Sequence, residues 1–209
     1  LIELVEEKKL PMERVDDAVR RILRLKFRLG LFDNPYGNGS KYEKFACPEF
    51  EQTAYRTALE SEVLLKNEDS LLPLSKDTRI MLVGPNANSM RTLGGGWNYS
   101  WQGEAADKEE FTGKYNTIYE ALKNKFKKVE YLPVLEYAPN GYFQAEVRTD
   151  YKKAVQAAKR ADVIVAAIGE NSYCETVGNI NDLTLSINQL ELVEELASTG
   201  KPIVLILNE

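Results

Sequence analysis

The fold is decided by the stretch DVIVAAIG at residues 162–169. It is an unbroken apolar run of strand length, which is typical of a strand buried on both faces of a sheet. Similar runs occur at residues 79–84, 129–135 and 202–208, and helical patterns separate them at residues 118–127, 150–160 and 188–198. Apolar strands that alternate with helices predict an α/β fold, with a mostly parallel sheet and helices on both faces.

The chain before this region has a different pattern. Between residues 12 and 29, apolar residues recur at helical spacing among arginines and lysines, and Gly30 then stops the helix. Turn-forming residues dominate positions 32–40, and a second helix is predicted to begin near Pro48. We therefore expect a helix from another domain at residues 1–31, an interdomain linker at 32–49, and an α/β domain at 50–209.

Composition excludes several classes of function. The 209 residues carry a net charge of −5 without a basic stripe, so neither nucleic acid nor an anionic membrane is an expected partner. The apolar runs are too short to span a bilayer. The chain has no histidine, which excludes a Ser-His-Asp or Cys-His triad within it and removes the commonest metal ligand. No metal or other cofactor is expected.

The termini and the cysteines add little. The first residue is Leu1 rather than methionine, so we expect the chain to come from the middle of a longer polypeptide. Cys47 and Cys174 either pair or remain free thiols, and the sequence leaves both alternatives open.

Function is expected where ligands bind open parallel sheets, at the carboxyl ends of the strands. One loop there reads GGGWNYSWQG at residues 94–103 and holds both tryptophans of the chain, Trp97 and Trp101. Tryptophan beside glycine suits stacking on the face of a sugar, although Trp97 has the alternative role of filling the core. The triple glycine lacks the further residues of a phosphate-binding motif, so a nucleotide site is weakly indicated.

The second loop reads GENSYCETVG at residues 169–178 and offers two carboxylates, Glu170 and Glu175, with Tyr173 between them. A carboxyl group against an aromatic ring loses water, which raises its pKa and favours proton donation near neutral pH. Glycosidic cleavage requires a pair of carboxyl groups, of which one protonates the leaving oxygen. Aromatic plates beside such a group predict a glycosidase site.

The chain resembles glycoside hydrolase family 3, in its β-glucosidase and β-glucan exohydrolase branch. Blocks that are similar to this family follow one another in the family's order over essentially the whole chain. They are VDDAVRRIL with KFRLGLF at 15–32, VLLKN with LLPL at 63–74, VGPNA at 83–87, GGWNYSWQG at 95–103, GENSYCET at 169–176 and GKPIVL at 200–205. The resemblance implies the end of a (β/α)8-type barrel followed by most of an α/β sandwich domain.

The resemblance also implies roles for individual residues. Glu175, the second glutamate of Gly-Glu-x-x-Tyr-x-Glu, aligns with the catalytic acid/base. Trp101 aligns with the tryptophan that stacks on the sugar beyond the scissile bond, and Trp97 aligns with a supporting tryptophan. Glu170 is expected to be structural and to hold the loop.

The nucleophile of the family is an aspartate in a Ser-Asp-Trp context on the barrel, and this tripeptide does not occur in the sequence. Asp16, Asp17 and Asp33 do not fit the role. The resemblance therefore implies a retaining β-glucosidase that acts on β-linked oligosaccharides or glucosides, in the periplasm or outside the cell. This chain, without the barrel, is expected to be inactive. Many members have Gly-Asp after the acid/base, whereas this chain has Gly178-Asn179 and then Asp182.

Other functions remain as alternatives. The same family includes β-xylosidases. A non-catalytic carbohydrate-binding module would use the two tryptophans as a platform and would not need Glu175. A flavodoxin-like module would bind a phosphate-bearing cofactor at the triple glycine. The incomplete domain is also expected to leave a strand edge and apolar surface uncovered.

Overall fold

The chain forms two units, Leu1–Lys66 and Asn67–Glu209. The computed structural model describes residues 1–36, 42–108, 113–139 and 142–209. Part of the predicted linker, residues 37–41, therefore lies outside the described residues.

The first unit is helical, with α1 (Ile2–Glu6), α2 (Met12–Arg28) and α3 (Pro48–Ser61). The two helices predicted from the sequence are confirmed, and the short α1 was not predicted. Gly30 follows α2 with φ +66°, a backbone conformation that glycine adopts without steric cost. None of the residues in these three helices is buried, and Phe27 on α2 is 68% exposed.

The second unit contains the sheets. Its strands are β1 (Arg79–Val83), β2 (Lys128–Tyr131), β3 (Leu135–Tyr137), β4 (Glu146–Arg148), β5 (Val163–Gly169) and β6 (Ile203–Asn208). Its helices are α4 (Met90–Gly94), α5 (Ile118–Lys125), α6 (Lys152–Ala158) and α7 (Ile187–Ala197). Four strands form a parallel sheet in the order β2-β1-β5-β6, which confirms the predicted α/β class.

One predicted strand is divided in the structure. The run at residues 129–135 was expected to be continuous, but β2 ends at Tyr131, and Leu135 begins β3, which pairs antiparallel with β4 in a separate sheet. Pro133 lies between the two strands and has no N–H group to continue the ladder. The chain therefore leaves the parallel sheet at this point.

Helices cover both faces of the parallel sheet, as predicted. Alternate residues of β1 and β5 pack against α6 and α7 on one face, in a cluster that includes Met81, Val83, Ile164, Ala166, Ala154, Leu192 and Leu196. The other residues of the same strands face α5, in a cluster that includes Ile80, Leu82, Val163, Val165, Ile118 and Leu122. Each fully buried valine, leucine or isoleucine contributes roughly 1.5–3 kcal/mol to the stability of this unit.

Helix starts and the sheet edge also follow from the sequence. Thr117 and Glu120 form a reciprocal capping box at the start of α5, and the Ser186 hydroxyl accepts from the Gln189 N–H at the start of α7. Strand β6 lies at one edge of the four-stranded sheet, and its Leu205 and Leu207 side chains are exposed. Within the described ranges, every helix falls short of the length and apolarity needed to cross a bilayer.

Candidate active site

Two loops leave neighbouring strands at the carboxyl edge of the parallel sheet. The aromatic loop (residues 94–103) belongs to the segment after β1, and the carboxylate loop (residues 169–178) starts at the end of β5. Gly84 and Gly169 are the last positions before the chain turns away, with φ +103° and +144°. A Cβ on them would lie 2.1 and 1.9 Å from a carbonyl oxygen of the adjacent strand. Only glycine fits at either position.

The first residue of the carboxylate loop is held by a buried glutamine. Gln189 on α7 is 2% exposed, and its side-chain Oε1 accepts from the Gly169 N–H at 2.9 Å while its Nε2 donates to the Gly169 carbonyl at 2.9 Å. Nε2 also donates to the Glu146 carboxylate at 2.8 Å. The Tyr137 hydroxyl donates to the same Gly169 carbonyl at 2.8 Å, and burial raises the pKa of Tyr137 so that it remains a donor.

A second glutamine holds the carboxylate loop further along, and this one comes from the aromatic loop. The Cys174 N–H donates to Gln102 Oε1 at 2.9 Å, and Gln102 Nε2 donates to the Cys174 carbonyl at 3.0 Å. The Ser172 hydroxyl donates to the Gln102 carbonyl at 2.6 Å, and the Cys174 thiol donates to the Trp101 carbonyl at 3.0 Å. Desolvation and the adjacent Glu175 carboxylate raise the pKa of Cys174, which keeps the thiol protonated.

Close backbone approach makes these contacts between the two loops possible. A Cβ on Gly96 would lie 2.9 Å from Cys174 Cβ, and a Cβ on Gly103 would lie 2.8 Å from Ser172 Oγ. Arg91 on α4 adds a third connection, because its Nε donates to Ser172 Oγ at 2.7 Å and its Nη2 to the Ser172 carbonyl at 3.2 Å. The two loops therefore pack as one structure.

The two tryptophans form an exposed aromatic pair. Their ring centroids lie 6.4 Å apart with an interplanar angle of 56°. Their backbones are also joined, because the backbone N–H of Trp97 donates to the backbone carbonyl of Trp101 at 2.8 Å. Trp97 is 69% exposed and Trp101 is 45% exposed. The alternative in which Trp97 fills the core is therefore wrong, and both residues present apolar ring surface to solvent.

Glu175 directly follows the residue held by Gln102. It is exposed and begins a single 3-10 turn, Glu175–Gly178. The backbone φ angle of Glu175 itself is +57°. A non-glycine residue in this conformation costs roughly 1–2 kcal/mol, which the surrounding contacts must offset. The expected loss of water around this carboxylate is not provided by the aromatic loop, since Glu175 remains open to solvent.

Glu170 and Tyr173 have a different environment. The Tyr173 hydroxyl donates to Glu170 Oε2 at 2.9 Å within the loop, and this hydrogen bond raises the pKa of Tyr173. The Tyr173 ring packs on Phe143 with centroids 4.5 Å apart. Asp182, further along, accepts from the Thr184 N–H at 2.7 Å, and hydrogen bonds from the Thr184 side chain and backbone lower the pKa of Asp182.

A cavity of about 690 Å³ opens at the same edge of the sheet, and Asn171 of the carboxylate loop is among its lining residues. Tyr131 and Tyr137 line it together with the carboxylates Glu104, Asp107, Glu120 and Glu136. Neither tryptophan of the aromatic loop lines it, and two of its carboxylates already serve the fold: Asp107 accepts from backbone N–H groups of α4, and Glu120 caps α5. In the described parts of the chain, no cluster of three or more histidine, cysteine, aspartate or glutamate side chains is arranged to hold a metal, and both cysteines are free.

The sequence model of the glycosyl hydrolase family 3 C-terminal domain matches residues 62–209, which is more than half of the chain. The chain belongs to glycoside hydrolase family 3. The resemblance inferred from the six sequence blocks is thereby confirmed.

Curated relatives include several family 3 glycosidases. A lysosomal beta glucosidase of Dictyostelium discoideum is 37% identical over 213 residues, covering 100% of this chain and 26% of the relative. A periplasmic beta-glucosidase of Salmonella typhimurium is 33% identical, covering 98% of this chain and 29% of the relative. A beta-xylosidase of Formosa agariphila is 32% identical, covering 94% and 27%. The chain thus spans about a quarter of the length of these family 3 proteins.

Solved family 3 structures have the same fold. The crystal structure of a beta-glucosidase from Listeria innocua superposes with a TM-score of 0.75 and 31% sequence identity, covering 99% of this chain and 27% of that protein. The same enzyme has also been solved in complex with glucose.

Three residues that hold the two loops of the candidate site were not predicted as site residues: Gln102, Gln189 and Arg91. Gln102 lies inside the recognised block at 95–103, so the motif itself contained a signal. Gln189 is a polar residue at a buried position of α7, which a sequence pattern assigns to the solvent face. Arg91 has no such signal, because its partner Ser172 lies 81 residues away.

Proposed function

We propose that this chain, joined to a barrel domain that carries a nucleophilic aspartate, supplies the acid/base of a retaining β-glucosidase. The enzyme removes terminal non-reducing β-D-glucosyl residues from oligosaccharides or glucosides. The observation that carries the proposal is the contact between the two loops, in which Cys174, the residue before Glu175, is hydrogen-bonded to both Trp101 and Gln102. Residues 1–31 belong to the end of the barrel, 32–49 to a linker and 50–209 to the α/β sandwich.

The reaction proceeds in two displacements. In the first, the barrel aspartate attacks the anomeric carbon while the Glu175 carboxyl gives its proton to the leaving oxygen, so that the glycosidic C–O bond breaks and a glycosyl-enzyme forms. In the second, the Glu175 carboxylate takes a proton from water, whose oxygen attacks the same carbon and releases the aspartate. Retention requires the two carboxyl groups to lie about 5–5.5 Å apart.

The exposed tryptophan pair binds the sugar on the leaving side of the bond. The Trp101 ring offers a flat apolar face to the C–H groups of that sugar, and Trp97 supports it at an angle. Glu175 is exposed in this chain, so the water-poor surroundings of a proton donor arise when substrate and barrel cover the loop.

A second specificity is favoured by one relative, the beta-xylosidase of Formosa agariphila. In this proposal the pocket for the non-reducing sugar lies mostly on the barrel, so this chain does not decide between the two specificities. Comparing kcat/KM for an aryl β-glucoside with kcat/KM for an aryl β-xyloside decides between them. We place the enzyme in the periplasm or outside the cell. The periplasmic relative supports this location, while the lysosomal relative lies in a different compartment.

The decisive experiment compares Glu175→Ala with Glu170→Ala in the polypeptide that joins this chain to its barrel. The substrates are an aryl β-glucoside with a good leaving group and a β-linked disaccharide with a poor one. We expect Glu175→Ala to abolish disaccharide cleavage and to spare formation of the glycosyl-enzyme from the aryl glucoside, because a good leaving group needs no proton. Added azide, a nucleophile that needs no general base, should restore turnover and yield the β-glucosyl azide.

Glu170→Ala is the matched control, since Glu170 lies in the same loop and bonds to Tyr173. If Glu170→Ala shows the selective loss and Glu175→Ala does not, the acid/base has been assigned to the wrong carboxylate. Normal cleavage of both substrates by both variants would support the alternative, a non-catalytic carbohydrate-binding module. The same alternative would be supported if this chain alone binds sugar and Glu175 is dispensable. The chain without the barrel should hydrolyse neither substrate.

A further inference from the structure

The side chain of Gln102 makes a two-point contact with the backbone just before Glu175. Its Oε1 accepts from the Cys174 N–H at 2.9 Å and its Nε2 donates to the Cys174 carbonyl at 3.0 Å. The Cys174 carbonyl belongs to the same planar peptide unit as the Glu175 N–H. Fixing that oxygen therefore fixes the orientation of the peptide from which the Glu175 side chain starts.

The conformation of Glu175 makes this restraint necessary. Its φ of +57° lies in the left-handed region, which a non-glycine residue leaves readily unless neighbouring contacts hold it. Since Glu175 is exposed, packing of its own side chain does not supply that restraint. The hydrogen bonds from Gln102 act on the residue immediately before it.

The same glutamine connects Glu175 to the aromatic pair. Gln102 follows Trp101 in the chain, and the Trp101 carbonyl accepts both the Cys174 thiol at 3.0 Å and the Trp97 N–H at 2.8 Å. The Gln102 carbonyl in turn accepts from the Ser172 hydroxyl at 2.6 Å. The backbone of residues 101 and 102 thus contacts the carboxylate loop on both sides of Tyr173.

We infer that Gln102 is a positioning residue, which holds the Glu175 carboxyl at the place where the leaving oxygen of a sugar stacked on Trp101 receives its proton. This inference rests on the proposed function of Glu175. Gln102 itself transfers no proton and need not touch the substrate. Its loss is therefore expected to impair the proton-dependent step and to spare the step that needs no proton.

The test is Gln102→Met in the polypeptide that includes the barrel. Methionine has a similar volume but cannot bond to both Cys174 groups. We expect kcat/KM for the β-linked disaccharide to fall about tenfold to a hundredfold, since a displacement of a reacting group by ~1 Å costs rates of that order. The value for an aryl glucoside with a good leaving group should change less than about threefold, because its first step does not depend on a well-placed acid.

Gln156→Met is the matched control, because Gln156 is an exposed glutamine on α6. It should leave both substrates and the melting temperature unchanged. A Gln102→Met enzyme that loses both substrates in equal proportion and melts at a lower temperature would show that Gln102 serves the fold alone. An enzyme that keeps full disaccharide activity would also overturn the inference.

Gln102→Glu is a second variant that keeps the shape of the side chain. An ionised carboxylate accepts from the Cys174 N–H but cannot donate to the Cys174 carbonyl, whereas the neutral carboxyl group does both. The ratio of its disaccharide activity to that of the wild type should therefore rise as the pH falls from 7 to 5. A constant ratio would contradict the two-point contact.

The outcome for Glu175→Ala separates the two proposals. If Glu175→Ala loses the disaccharide selectively and Gln102→Met loses nothing, only the positioning role fails. If Glu175→Ala spares the disaccharide, the proposed function itself fails, whatever Gln102→Met does.

Discussion

The two edges of the parallel sheet use different chemistry. At the amino edge, where the strands begin, the chain is held by exposed charges: Arg79 with Asp162, and Lys127 with Asp77. At the carboxyl edge, the backbone is held by buried amides and by close packing, because Gln189, Asn86 and the glycines ending β1 and β5 make buried or closely packed backbone contacts.

This difference shows which edge of the sheet fixes the positions of its groups more strongly. An exposed ion pair exchanges its partner for water at little cost and is screened by salt. A buried amide that loses its partner leaves an unsatisfied polar group, at a cost of roughly 1–3 kcal/mol. The carboxyl edge is therefore the more exactly determined one, and it is the edge that carries both candidate loops.

The largest effect is expected at the end of β5. Gly169→Ala would place a Cβ 1.9 Å from the Asn208 carbonyl oxygen at φ +144°, and we expect the free energy of unfolding to fall by about 3 kcal/mol. Urea denaturation followed by circular dichroism measures it. Gly200→Ala is the control, since φ is +68° there but nothing lies within 4 Å, and it should cost about 1 kcal/mol. Equal losses in both variants would remove the case for close packing at the carboxyl edge.

A smaller effect is expected for the buried amide. Gln189→Leu leaves the Gly169 N–H without its acceptor and removes a donor from Glu146, so the free energy of unfolding should fall by about 2–3 kcal/mol. Gln156→Leu on the exposed face of α6 should change it by less than ~0.5 kcal/mol. The same urea titration compares the two. Should the two variants be equally stable, the two-point hold on Gly169 would contribute nothing.

The smallest effect is expected at the amino edge. Hydrogen bonds from the Arg79 side chain and backbone lower the pKa of Asp162 to about 2 in the folded protein. The folded pKa is below the value of ~3.9 for an unfolded chain, so the stabilisation is present above pH ~4 and is lost as the pH falls towards 2. Asp162→Asn should therefore be slightly less stable than the wild type at pH 7 and equal to it near pH 2.

Urea titrations at pH 7, 4 and 2 check this last prediction. Repeating the pH 7 titration in 1 M salt should reduce the difference in stability between the wild type and Asp162→Asn. The Arg79–Asp162 pair is exposed, and the screening length at that salt concentration is about 3 Å. If Asp162→Asn lowers the free energy of unfolding at pH 7 by more than Gln189→Leu does, the amino edge contributes more to stability than the carboxyl edge, and the ranking proposed here is reversed.

Much of the fold could be predicted from the sequence because burial leaves a pattern. The run of apolar residues in β5 indicates a strand covered on both sides, and the structure confirms it. The division at Pro133 was missed because the flanking residues are as apolar as those of a continuous strand. The β3–β4 pair was missed as well, since strands of three residues are too short for a periodic pattern.

The candidate site was predictable in its composition and location but not in its contacts. Glycine, tryptophan and glutamate at the ends of two strands located both loops. The bond between Gln102 and Cys174 joins residues 72 positions apart, and no local pattern encodes it. The exposure of Glu175 was also not predicted, because neighbouring aromatic residues in sequence do not have to cover a carboxylate in space.

The close approach of Gly96 and Gly103 to the carboxylate loop has a consequence for protein engineering. A side chain at either glycine would overlap Cys174 or Ser172, so an aromatic loop that lacks these glycines does not fit the present carboxylate loop. A designer who recombines family members to alter substrate preference must transplant residues 94–103 and 169–178 together, as a single cassette. Chimeras with a crossover between the two segments would join surfaces that were never selected to fit.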